Sequence, residues 1–376
     1  MWSMSLLAKD LPLWLPGTPD DLSHIINSYY RYTTIFFFIF TLLLVRETLK
    51  IASLLGIKNT KRRTLLYLVA TPSFVFLILL NWYIIGVFFT VYGLRKFLEG
   101  SRFFSGAALG ISAATNLISA VPSLGMLFGA DNWKERLNFC AGFSIAVASI
   151  YLPLIALNSF PHTYVNSSGT TVHFPYVFMN TSFISDFISY HAGWYIEGSW
   201  MLAFLNPYDP RAHYIFPALF SLLCIIIFLK GISIRSRIQT KLEKDNFVIM
   251  MSWLFVAAYL FSSYVATPQM NLVLLPFFVF APIVRYYPEF LAYDILNSLV
   301  IVLGFSQPFL VFGIRIAFNQ FGPPWPWMIG YSPIELLVVI KSVWIGKFLL
   351  VDGIFAPHTP LTKAPTSSFK ELESGA

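Results

Sequence analysis

Long apolar runs separated by short charged clusters dominate this chain. A helix that crosses a bilayer needs about 20 apolar residues. Runs of that order fall at 33–55, 138–158, 212–231, 246–264, 268–285, 293–314 and 331–353, and each predicts one spanning helix. Two other runs behave differently. Residues 64–96 are too many for one crossing and few for two, and residues 103–130 carry Gly106, Gly110, Pro122 and Gly125. Each reads as a helical hairpin that enters and leaves on the same side. Gly and Pro are tolerated there because neighbouring groups re-satisfy the backbone. The predicted fold class is all-α: a multi-pass transmembrane helical bundle of about 9–11 membrane segments. It forms a single domain over residues 1–376.

Composition agrees. Hydrophobic residues make up 57% of the chain and charged residues 11%, against roughly 25% charged in an ordinary soluble domain. That excludes a soluble enzyme, a disordered tail and a nucleic-acid binder. The net charge of +7 comes from basic residues in short loops. Arg46, Lys50, Lys58, Lys61, Arg62 and Arg63 follow the first helix; Arg95, Lys96 and Arg102 lie between the hairpins; Lys134 and Arg136 follow the second hairpin. Lys230, Arg235, Arg237, Lys241 and Lys244 fill one further loop. If both hairpins return, all of these share one face, which the positive-inside rule makes cytoplasmic. The tail 354–376 is then cytoplasmic, and the segment 1–32 and the loop 159–211 are external. Cys140 and Cys224 sit in apolar runs and fit neither a disulfide framework nor a zinc site.

The loop 159–211 is where chemistry is expected. It holds the sequons Asn166-Ser167-Ser168 and Asn180-Thr181-Ser182, suited to a non-cytoplasmic face. His24, His162, His173, His191 and His213 fall on that face, but their spacing matches no metal-site template. No metal ligand set is assigned, and a divalent cation stays open as a cofactor. The sharper feature is Tyr190-His191-Ala192-Gly193-Trp194-Tyr195-Ile196-Glu197-Gly198-Ser199-Trp200. Its carboxylate can accept hydrogen bonds from sugar hydroxyls, and its aromatic rings can stack on sugar faces. The same residues also fit an interfacial aromatic belt with a solvated Glu197.

Four stretches, in order, resemble the GT-C superfamily of multi-pass glycosyltransferases. The first is Leu80-Asn81-Trp82 and the apolar residues up to Arg95-Lys96. The second runs from Ser105-Gly106 to Thr115-Asn116 and on to Pro122, similar to an "AGxxxGxxAAxKxxP" hairpin. The third is Tyr190-His191 to Glu197-Gly198-Ser199-Trp200, similar to "YHxxRxxxIES". The fourth is Ala266-Thr267-Pro268-Gln269-Met270 with Leu274-Leu275-Pro276, similar to "SPQYxxWLLP". The resemblance covers most of residues 60–285. Where the family carries Lys and Arg, this chain has Asn116 and Trp194. The family begins with a membrane helix and an external loop bearing a catalytic Asp. Here Asp20 and Asp21 precede the first run without such a helix. Either one substitutes, or the chain is truncated, or it is a non-catalytic relative.

The resemblance implies transfer of a hexose, such as mannose, from a polyprenyl-phosphate-linked donor on the outer face of a prokaryotic plasma membrane. Inverting transfer needs a base for the acceptor hydroxyl and a cation for the leaving phosphate. Asp20 or Asp21 is the candidate base; the alternative is that Gly17-Thr18-Pro19-Asp20-Asp21 caps a helix starting at Leu22. Glu197 would hold a sugar hydroxyl or orient the acceptor. His191, Trp194, Tyr195, Trp200 and Gln269 would contact the sugar. Arg211, Arg315 and Lys341 would hold the lipid phosphate, Lys341 being an ionisable residue inside an apolar run. Membrane lipids and a partner subunit are the other expected partners. A non-catalytic partner subunit and a lipid-linked-saccharide flippase are the competing functions.

Overall fold

The computed structural model describes residues 22–77, 82–156, 164–165, 171–172, 199–205, 211–264, 266–280, 287–305 and 333–355. The described residues form an all-helical bundle, with one short antiparallel pairing of Tyr164–Val165 against Thr171–Val172.

Helix α1, Leu22–Leu54, starts directly after Asp21. It begins earlier than the apolar run because no Gly or Pro interrupts the polar stretch that leads into it. Helix α2, Thr60–Thr64, runs into a π turn at Leu65–Val69. Helices α3 (Pro72–Leu77) and α4 (Tyr83–Leu98) follow. Helices α5 (Arg102–Thr115), α6 (Leu117–Ala120), α7 (Ser123–Gly129) and α8 (Trp133–Ala156) come next. Then come α9 (Arg211–Arg235) and α10 (Lys241–Ser262). A 3-10 segment at Pro268–Val273 leads into α11 (Leu275–Phe280). Helices α12 (Tyr287–Phe305) and α13 (Pro333–Lys347) complete the set, and α13 continues as a π segment at Phe348–Ile354.

Glycines let the helices approach to backbone distance. A Cβ added at Gly106 would lie 1.9 Å from the Phe139 carbonyl oxygen, and one at Gly142 would lie 2.1 Å from that of Phe103. Helices α5 and α8 thus meet through small residues four apart, a packing mode typical of apolar surroundings. Helix α4 pairs antiparallel with α5 across the turn at 99–101: Ser105 Oγ donates to the Gly93 carbonyl at 2.8 Å, and Ser112 Oγ to that of Gly86 at 2.9 Å. The chain reverses again between α5 and α7, because Ser105 Oγ also lies 3.7 Å from Met126 Sδ.

Charged groups gather at one end. Arg95 bridges Glu47 and Glu99, and Arg102 Nε meets Glu135 at 2.9 Å. Lys244 pairs with Asp131. Lys347 pairs with Glu289 away from that end, beside Gly346, which packs on Phe261. Arg235 donates to the Phe128 and Ala130 carbonyls at 2.6 and 2.8 Å, and Lys230 to the Gly353 carbonyl at 2.8 Å. The contacts of Arg95, Arg102, Lys244 and Arg235 tie together loops that the sequence places on one face.

Elsewhere the polarity of the bundle is inverted. Leu222, Ile225, Leu229 and Ile232 form an exposed stripe on α9, and Phe38 and Leu42 do so on α1. Asp294, Asn297 and Lys341 are buried. Two helices among the described residues, Tyr214–Arg235 and Lys241–Ser262, are long and apolar enough to cross a membrane.

Candidate functional site

The run 268–285, expected as one spanning helix, opens as a 3-10 segment at Pro268–Val273 and becomes α-helical at Leu275–Phe280. Helix α10 ends at Ser262, Ser263 and Thr267 are extended, and Pro268 starts a 3-10 segment instead. The carbonyls released at this break need partners.

Buried polar side chains from distant elements provide them. Asn297 and Asn271 both donate through Nδ2 to the Pro268 carbonyl, each at 3.2 Å. Asn271 Nδ2 also donates to Asn297 Oδ1 at 2.8 Å, and the Tyr293 hydroxyl to Asn271 Oδ1 at 2.5 Å. Asn297 Nδ2 reaches Ser73 Oγ at 2.8 Å. The Ser73 amide, at the start of α3, donates to the Asp294 carboxylate at 3.0 Å. The network therefore joins α3, α12 and the broken segment. On the other side of the break, the Lys341 ammonium donates to the Ala266 carbonyl at 2.9 Å, and Lys341 is 0% exposed.

The break also presents free polar groups. Thr267 Oγ1 is buried without a hydrogen-bond partner among the described residues. Gln269 is half-buried and makes no hydrogen bond to them. Trp200 lies at this same end. Its indole nitrogen donates to the Phe261 carbonyl at 2.7 Å, and its ring stacks on that of Phe261 at 5.7 Å and 21°. Met201 and Leu205 pack there with Ala212, Val300 and Val338. Arg211, exposed, begins α9 beside Ala212.

The structure thus brings Trp200, Gln269, Lys341 and the start of α9 at Arg211 to one end of the bundle. Asp20, Asp21, His191, Trp194, Tyr195, Glu197 and Arg315 lie outside the described residues. Asn116, where the resembling pattern has a lysine, caps α6: its Oδ1 accepts the Ser119 amide at 2.9 Å. The buried group Ser73, Asn271, Tyr293, Asp294 and Asn297 was not singled out from sequence. The signal for Asp294 was present, since an ionisable residue within an apolar helix is a functional candidate by default. No group of three or more His, Cys, Asp or Glu that could hold a metal occurs among the described residues. Comparisons of the chain with protein-family models, curated protein sequences and solved structures give no match.

Proposed function

We propose that this chain is a multi-pass membrane glycosyltransferase of GT-C type, acting at the end of the bundle opposite the charged loops. A bilayer reading is supported by the inverted polarity, because lipid is the solvent in which exposed Leu229 and buried Asp294 both make sense. The charged end then faces the cytoplasm.

The observation that carries the transferase reading is the seat of Trp200 on Phe261, next to the break that displays Thr267 and Gln269. Trp200 closes the aromatic stretch containing Glu197, and the three-residue tether between them spans at most about 11 Å. In this reading the acceptor hydroxyl loses its proton to Asp20 or Asp21. Its oxygen forms the new bond to the sugar's anomeric carbon as the bond to the polyprenyl phosphate breaks. Arg211 and Arg315 hold the leaving phosphate, and Glu197 holds a sugar hydroxyl. Lys341 is a positioning residue that fixes the break through Ala266.

The test is sugar transfer from a defined polyprenyl-phosphate-linked donor by the purified full chain. A charge-assisted hydrogen bond is worth about 1.5–3 kcal/mol, so Glu197→Gln should slow transfer roughly ten- to a hundredfold. Near-wild-type transfer by that variant would reject its role in the site. A second reading, translocation of a lipid-linked saccharide, is favoured by the adjoining helix breaks at Asn116 and Pro268. Donor movement across vesicles without transfer would select it.

A further inference from the structure

At the charged end a cleft of about 500 Å³ opens between the starts of α5 and α8, lined by Ser101, Arg102, Phe104, Asn132, Lys134 and Asn138 among others. Its polar lining is rich in donors. The Arg102 guanidinium is held by Nε on Glu135 at 2.9 Å, by Nη1 on the Phe97 carbonyl, and over the Phe97 ring at 3.9 Å. That leaves Nη2 without an acceptor among the described residues. Lys134 and Asn138 are exposed and make no hydrogen bond to them, and the Ser101 hydroxyl makes none either. Glu135, the carboxylate in this lining, pairs with Arg102, whose charge also acts on Asp245, so Lys134 is the cation of the lining without an ion pair among the described residues. Such a set has more donors than acceptors and suits an anion with several oxygens.

The rim is apolar. Phe104 is 62% exposed and meets Phe103 edge to face, and Trp133, 68% exposed, precedes Lys134. Aromatic rings beside cations at a helix end are the arrangement found where hydrocarbon gives way to headgroups. A free phosphate has no use for that rim, whereas an amphiphile uses both parts.

We propose that this cleft binds the phosphate of an anionic phospholipid, with the acyl chains lying against Phe103 and Phe104. The site is separate from the proposed transfer site and rests only on the membrane reading. Basic pockets between helices on the cytoplasmic side hold anionic headgroups in the same way.

The experiment uses the full chain in nanodiscs and measures retained lipid by native mass spectrometry. Phosphatidylglycerol should be retained in preference to phosphatidylcholine. At about 1 kcal/mol per cation near the surface, Lys134→Gln should weaken that preference about fivefold and Lys134→Glu roughly thirtyfold. Phe104→Ser should weaken both lipids. Competition by millimolar inorganic phosphate, with no effect of Phe104→Ser, would assign the cleft to free phosphate and overturn the lipid proposal. Equal retention of both lipids, or no effect of either Lys134 variant, would also overturn it. Carbonate extraction of membranes separates the two failures. A chain that resists extraction but shows no preference refutes the lipid site alone, and a chain released by carbonate refutes the membrane reading with it.

Discussion

The ammonium of Lys341, on α13, donates to the Ala266 carbonyl at 2.9 Å, between the end of α10 and the start of the next helical segment. A carbonyl at that position has no intrahelical donor, and Lys341 is fully buried. The lysine therefore compensates a helix break. Replacing it with Met keeps most of the stem volume and removes the donor. A buried acceptor left without its partner costs about 1–3 kcal/mol. Lys341→Met should therefore lower the thermal unfolding midpoint in detergent. An unchanged midpoint would show that the contact does not stabilise the break.

Asn297 is the branch point of the buried network, contacting Asn271, Pro268 and Ser73. Asn297→Leu would strip partners from the Asn271 amide and the Ser73 hydroxyl together. Interhelical hydrogen bonds in apolar surroundings average about 0.6 kcal/mol and reach about 1.7, so a loss of roughly 1–3 kcal/mol is expected. Ser236→Ala, at an exposed hydroxyl bonded to Ser233, should change stability by less than about 0.5 kcal/mol. Equal effects of the two substitutions in chemical unfolding would contradict the structural role of the network.

Much of the helical layout was legible because charge clusters punctuate it. Arg95 to Arg102 marks the α4–α5 turn, and Lys230 to Lys244 marks the α9–α10 loop. The Leu22 start was also legible in the Pro19-Asp20-Asp21 capping pattern. The interruption before Pro268 was legible as well, because the predicted helices end at 264 and restart at 268. That the second of them opens as a 3-10 segment to Val273 was not, because apolar periodicity does not separate one long helix from two short segments. The buried network was harder still. Ser73, Asn271 and Asn297 are single polar residues in separate apolar runs, and only the packed bundle makes them neighbours. Of the site residues named from sequence, Trp200, Gln269 and Lys341 reach one end because each adjoins the end of α10. Gly106 and Gly110 were read through a family pattern, but the physical reason for them is close helix approach.

That reason gives a third expectation. A side chain at Gly106 would collide with the Phe139 backbone rather than with a flexible side chain. Overpacking against backbone costs about 1–3 kcal/mol or more. Gly106→Val should therefore separate α5 from α8 and lower both expression and unfolding midpoint. Gly56, with φ of 64° and nothing near its Cβ position, tests another mechanism: Gly56→Ala should cost only backbone strain, about 1–2 kcal/mol. Comparable midpoints for Gly106→Val and wild type would mean that the two helices are not in backbone contact.

Acid should loosen the charged end. Burial opposes ionisation of Glu99, but hydrogen bonds from Lys96 and Arg95 outweigh it and hold its carboxyl below the usual range. A carboxyl whose folded pKa is depressed contributes stability above its unfolded pKa, about 4.3. That contribution is lost as pH falls through the folded value. Glu99→Gln should be less stable than wild type at pH 7, and the gap should close as pH drops below about 4. Parallel stability curves from pH 7 to pH 3 would show that Glu99 draws nothing from the pairing.

Topology is the expectation on which the functional reading depends most. The pairs Arg95–Glu47, Arg102–Glu135 and Lys244–Asp131 gather at one end, while Trp200, Ala266 and Lys341 lie at the other. If the basic end is cytoplasmic, a cysteine in the α9–α10 loop and one in the loop 159–211 must react on opposite sides of the membrane. Ser236 is the better loop position, because it is exposed. Thr240 instead caps α10, accepting the Glu243 amide at 3.2 Å while Glu243 accepts the Thr240 amide at 3.0 Å. Ser236→Cys should label only after the cytoplasmic face is opened to an impermeant maleimide. Ser167→Cys should label in intact cells. With both native cysteines replaced, same-side labelling would put Glu197 and the charged loops on one face. A donor site opposite the basic loops would then be untenable, whatever the chemistry of the residues at the break.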